Sequence, residues 1–104
     1  MKIEFLYWEE CPSHERALAL LHESIQHLSI DAPVEIIQIE TEEQARERVF
    51  FGSPTILING QDIAPPPEDM PPGLTCRAYR RLDGKISPLP PREMIEAALN
   101  AARS

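Results

Sequence analysis

The stretch Lys2-Ile3-Glu4-Phe5-Leu6-Tyr7-Trp8-Glu9-Glu10-Cys11-Pro12-Ser13-His14 sets the first structural unit of this chain. Residues 2–8 alternate and are rich in aromatic and aliphatic types, the pattern of a β-strand. Residues 12–28 then place Ala17, Leu18, Leu21, Ile25 and Leu28 at helical spacing, which predicts an amphipathic helix. Pro12 suits the first helical position, where its missing N–H is no loss and its φ is already near helical values. Cys11 therefore stands between a strand end and the positive end of a helix. Unpaired backbone N–H groups there lower a thiol pKa and favour the thiolate, so Cys11 is expected to be the more reactive thiol. Glu9, Glu10 and Glu15 act the other way, because nearby negative charge disfavours ionisation.

Outward from this junction, Asp31-Ala32-Pro33 ends the helix. Val34 to Ile39 is a nearly continuous apolar run, expected to be a strand buried on both faces. Thr41 and Gln44 form a capping box that opens a short helix to about Val49. Phe50 to Pro54 reads as a loop and Thr55 to Ile58 as a strand. Asn59-Gly60 is a strong hairpin signal. Pro65, Pro66, Pro67, Pro71 and Pro72 make the next segment irregular or polyproline-like. Thr75 to Leu82 reads as a further strand, Asp83-Gly84 as a turn, and Pro91 to Ala102 as a helix with Met94, Ile95, Ala98 and Leu99 inward. The order βαβαββα begins with a βαβ unit, which implies parallel strands and a right-handed crossover. The expected fold class is α/β, with a four-stranded mixed sheet flanked by helices on both faces.

The 104 residues fit one domain, 1–104, with no internal repeat. A hydrophobic content of 42% and a charged content of 26% suit a globular protein with an ordinary core. No apolar run approaches the roughly 18 residues of a membrane span. The first residues do not read as a secretory signal, so the expected location is cytoplasmic. A net charge of −7 argues against nucleic acid and anionic membrane as partners. Arg77, Arg80 and Arg81 form the one dense basic patch, too small for a nucleic-acid site. Two cysteines 65 positions apart do not read as a disulfide scaffold of a reduced compartment.

Cys11-Pro12-Ser13-His14 at the first β–α junction, and Ser53-Pro54-Thr55 at the start of the third strand, resemble the thioredoxin-like superfamily. The resemblance covers most of the chain. It extends to a group of small bacterial thioredoxin-like proteins that carry a glycine-leucine-x-cysteine-arginine segment, here Gly73-Leu74-Thr75-Cys76-Arg77. It implies a thioredoxin-like fold, a nucleophile at Cys11, and a cis-proline at Pro54 facing it. It also implies that Ser53, before that proline, offers its backbone to an extended substrate. The chain departs from the C-x-x-C motif at one position: His14 stands where the second cysteine would be. A dithiol oxidoreductase resolves its mixed disulfide with that second thiol, which a histidine cannot do.

The candidate site residues follow. Cys11 is the nucleophile. His14, three residues on, is able to stabilise the thiolate as a cation or take its proton as a base; equally, it is an ordinary exposed helix residue. Cys76 ends a long loop that is able to fold back and supply a resolving thiol; equally, it is a buried strand residue. Ser53, Pro54 and Trp8 are the substrate-side candidates, although either Tyr7 or Trp8 suits the core. The expected activity is thiol–disulfide exchange, as an oxidoreductase lacking the second motif cysteine, with no cofactor and no metal site. Its partners would be a thiol- or disulfide-bearing protein or a small thiol. Two alternatives stay open: a module that holds a soft metal or metalloid ion through Cys11, His14 and Cys76, and a peptide-binding groove with no chemistry.

Overall fold

The structure, a computed structural model, describes residues 1–103. It is a mixed α/β arrangement with a four-stranded mixed sheet and three helices. Strand β1 spans Ile3–Tyr7, helix α1 His14–His27, β2 Val34–Gln38, α2 Glu42–Arg48, β3 Thr55–Ile58 and β4 Gln61–Asp62. A separate small hairpin, β5 (Tyr79–Arg80) and β6 (Ile86–Ser87), precedes α3 (Arg92–Ala102). The main sheet runs β2-β1-β3-β4, parallel between β1 and β2 and antiparallel elsewhere. Among the described residues no helix is long and apolar enough to cross a membrane.

Strand alternation divides the core in two. Ile3 and Phe5 of β1 and Ile56 and Ile58 of β3 face Ala17, Leu21 and Ile25 of α1 and Ile95 and Leu99 of α3. On the other face Leu6 meets Ile39, Ala45 of α2 and Phe50. The central strand is therefore buried on both sides. Helices α1 and α3 share one face and are also tied at their surface. Glu96 accepts from the Arg92 side chain at 2.7 Å and contacts His27 Nδ1 at 3.1 Å. The Arg92 hydrogen bond leads the causes that hold the Glu96 carboxyl below its usual value.

Three expectations need correction. First, α1 begins at His14, with Pro12 and Ser13 in a turn before it. The Cys11 N–H donates to the Trp8 carbonyl at 3.1 Å, which closes that turn before the helical bonds start with Ala17 N–H to Ser13. Second, β2 is not buried on both faces: Ile36 is 51% exposed. Ile36 pairs with Phe5 on the face that carries α1 and α3, but its strand is at the sheet edge, where those helices leave it half uncovered. Third, residues 75–82 do not form one continuous strand. Cys76 makes an isolated parallel bridge to Ser53, and ladder pairing resumes only at Tyr79–Arg80.

Two local readings have direct structural counterparts. Thr41 Oγ1 accepts from Gln44 N–H at 3.1 Å, capping α2, while Gln44 Oε1 accepts from the Glu40 N–H at 2.7 Å. Asn59 and Gly60 both have positive φ, 53° and 80°, as a two-residue hairpin of this twist requires.

Candidate functional site

Cys11 lies in the turn between β1 and α1 and is fully buried. Its sulfur is bonded to that of Cys76 across 65 residues, with an S–S distance of 2.06 Å and Cα atoms 5.7 Å apart. Cys76, by contrast, is exposed. One partner of the pair is thus sealed in the fold and the other faces solvent.

The backbone of Ser53 holds the Cys76 segment in place. Ser53 N–H donates to the Thr75 carbonyl at 2.8 Å, and Arg77 N–H donates to the Ser53 carbonyl at 2.9 Å. Ser53 is fully buried, and the Ser53–Pro54 peptide bond is cis. The edge expected to receive an extended substrate is therefore occupied by the chain itself. Gly52 makes this approach possible. Its φ is +126°, and a Cβ there would lie 3.1 Å from Arg77 Cβ and 3.2 Å from Thr75 Cγ2. Two carbonyls tie the strand ends to this segment. Trp8 O accepts from Cys11 N–H, with Ser53 Oγ at 3.5 Å, and Pro54 O accepts from the Tyr79 hydroxyl.

A buried ion pair anchors the other side. Arg77 donates to Asp62 Oδ2 at 2.7 Å, to Thr55 Oγ1 at 3.3 Å and to the Ala64 carbonyl. Its side chain is 8% exposed and that of Asp62 12%. Its guanidinium carbon sits 4.8 Å from the centre of the Tyr79 ring. Arg77 is therefore not part of a solvated basic patch with Arg80 and Arg81, because its charge is spent inside the fold. Burial pushes the Tyr79 phenol well above its ordinary value of 10.0; Arg77 pulls it down and Asp62 pushes it up.

His14 is brought to Cys11, on the backbone side. Its Nδ1 is 2.7 Å from the Cys11 carbonyl oxygen. A carbonyl only accepts, so Nδ1 carries the proton and donates. The ring also stacks on Tyr7, with centroids 4.6 Å apart and an interplanar angle of 19°. His14 thus props the turn that carries the buried cysteine. Both aromatics before the site are half-buried. Tyr7 packs against the main core and Trp8 against the second.

No family model matches the chain, and no curated protein or solved structure matches it. The site stands on its own geometry. Cys11 and Cys76 are joined by the disulfide, His14 and the Trp8 carbonyl bond the Cys11 backbone, and Ser53, ahead of Pro54, pairs with the Cys76 segment. Among the described residues no three His, Cys, Asp or Glu side chains are grouped to hold a metal, and both sulfurs are taken up by each other. Sequence reading missed Gly52 and the Arg77–Asp62–Tyr79 clamp. The only signal for them was the glycine before Ser53-Pro54 and the arginine directly after Cys76.

Proposed function

We propose that this chain is a thioredoxin-like thiol–disulfide exchange protein whose redox couple is Cys11 and Cys76. The observation that carries the reading is the disulfide between the strand–helix turn and the segment held on the backbone of Ser53. A C-x-x-C protein draws both thiols of its couple from one turn, three residues apart; here the second thiol of the pair comes from across the fold. The order of the main sheet supports the thioredoxin-like assignment. In a cytoplasmic setting, small thiols would keep the pair reduced until an oxidised partner arrives.

The reaction balances between the protein and a disulfide. One protein thiolate attacks a partner disulfide RSSR, forming a mixed disulfide and releasing one RS⁻. The second protein thiolate then attacks the protein sulfur of that mixed disulfide and releases the other RS⁻. Cys11 and Cys76 are oxidised to one disulfide and the partner is reduced to two thiols. Mass spectrometry of the reduced protein mixed with oxidised glutathione tests this. The intact chain should lose two hydrogens and retain no glutathione. Cys11→Ser should stop with one glutathione attached, and Cys76→Ser should form no internal disulfide. A parent chain that stays reduced, or that accumulates two glutathiones, would exclude the couple.

A further inference from the structure

We infer that Cys76, not Cys11, is the sulfur through which external thiols enter, and that Cys11 is the leaving and resolving thiol. This inference rests on the redox reading above and assigns the order of its steps. Thiol–disulfide exchange depends on which sulfur is accessible and on which thiolate leaves more readily. The two cysteines differ in access. Cys11 is fully buried, whereas Cys76 is exposed. A cavity of about 470 Å³ opens beside Cys76, bordered by Phe51, Met70, Arg77 and the Pro65–Pro67 arch, and Cys11 is not among its lining residues. Attack at Cys76 leaves Cys11 as the departing thiolate, in the turn that leads into α1.

The steps follow. A thiolate RS⁻ enters the cavity and attacks Cys76 Sγ. A bond forms between the external sulfur and Cys76, and the Cys11–Cys76 bond breaks with its electron pair leaving on Cys11 Sγ. A second RS⁻ attacks the external sulfur of the mixed disulfide, yielding RSSR and the Cys76 thiolate, and both protein thiolates take up protons. The external thiols are oxidised and the protein disulfide is reduced. The hydrogen bonds from Ser53 to Thr75 and from Arg77 to Ser53 do not involve sulfur, so they keep the Cys76 segment beside Cys11 after cleavage. The Arg77–Asp62 ion pair adds a second tether. In the oxidising direction the order reverses: Cys76 captures the partner sulfur and Cys11 resolves. The cavity lining is mostly apolar and its arginine is already paired, so the substrate class is a thiol or disulfide with uncharged, apolar surroundings.

The test maps the first mixed disulfide in the intact oxidised protein. The protein is mixed briefly with 2-mercaptoethanol, quenched with excess N-ethylmaleimide and digested with trypsin. Cleavage after Lys2, Arg16, Arg48 and Arg77 puts Cys11 and Cys76 on different peptides, 3–16 and 49–77. The mercaptoethanol adduct should lie on peptide 49–77, and the maleimide on peptide 3–16. The difference in access predicts an excess of at least about tenfold over the opposite labelling. Equal labelling, or an adduct chiefly on peptide 3–16, would overturn the assignment and leave the redox couple intact. A disulfide that no native-state thiol opens, and that opens only in denaturant, would overturn the couple itself.

Discussion

Gly52 is where a single missing methyl lets the cysteine segment close. An alanine there would put its Cβ 3.1 Å from Arg77 Cβ at a φ of +126°, which disfavours any side chain. Gly52→Ala should therefore lower stability by about 1–3 kcal/mol, read as a shifted urea midpoint, and slow disulfide closure from oxidised glutathione. Unchanged values for both would mean the segment is not held as tightly as its hydrogen bonds imply. Tyr79 gives the pH dependence. Its buried phenol donates to Pro54 O and is held protonated above its ordinary pKa of 10.0. The folded pKa is raised, so this contribution is full below pH 10 and is lost as pH climbs towards the folded value. Denaturant titrations should show stability falling above pH 10, and Tyr79→Phe should remove that part of the fall. A parent and variant with the same alkaline slope would contradict the role given to the phenol.

At the scale of elements, α2 closes on Val49 with φ 54° and ψ 52°, a left-handed conformation that a β-branched residue adopts only under strain. Val49 is 59% exposed, so little burial offsets that strain. Val49→Gly should raise stability by about 1 kcal/mol, measured by chemical denaturation; a loss would mean the Val49 methyls pack better than their exposure suggests. The elements themselves were largely legible. The Thr41 cap, the Asn59-Gly60 turn and the stripes of α1 and α3 are local signals, and local physics decides them. The exposure of Ile36 was not legible, because an apolar strand carries no mark of edge or centre. Residues 75–82 misled for a similar reason. Their extended conformation is set partly by pairing to Ser53, a contact made across more than twenty residues.

At the scale of the whole molecule, the site is a product of topology. Cys11 and His14 stand out in the sequence within one turn, and Ser53 and Pro54 at the start of the third strand. That Cys76 returns to Cys11, and that Asp62 receives Arg77, depends on the path of the proline-rich loop, for which no periodic signal exists. The burial difference between the two cysteines emerges only when sheet, helix and returning segment are assembled. The central claim is that this assembly works as an exchangeable couple and not as a fixed staple. A redox titration of the native protein in graded thiol–disulfide buffers tests it most directly, with the thiol state read by alkylation and the fold by circular dichroism. The account predicts reversible, two-electron reduction of Cys11–Cys76 with the fold retained, at a midpoint more oxidising than about −300 mV, the range of labile disulfides. A bond that stays closed at that potential and opens only as the fold is lost would contradict it.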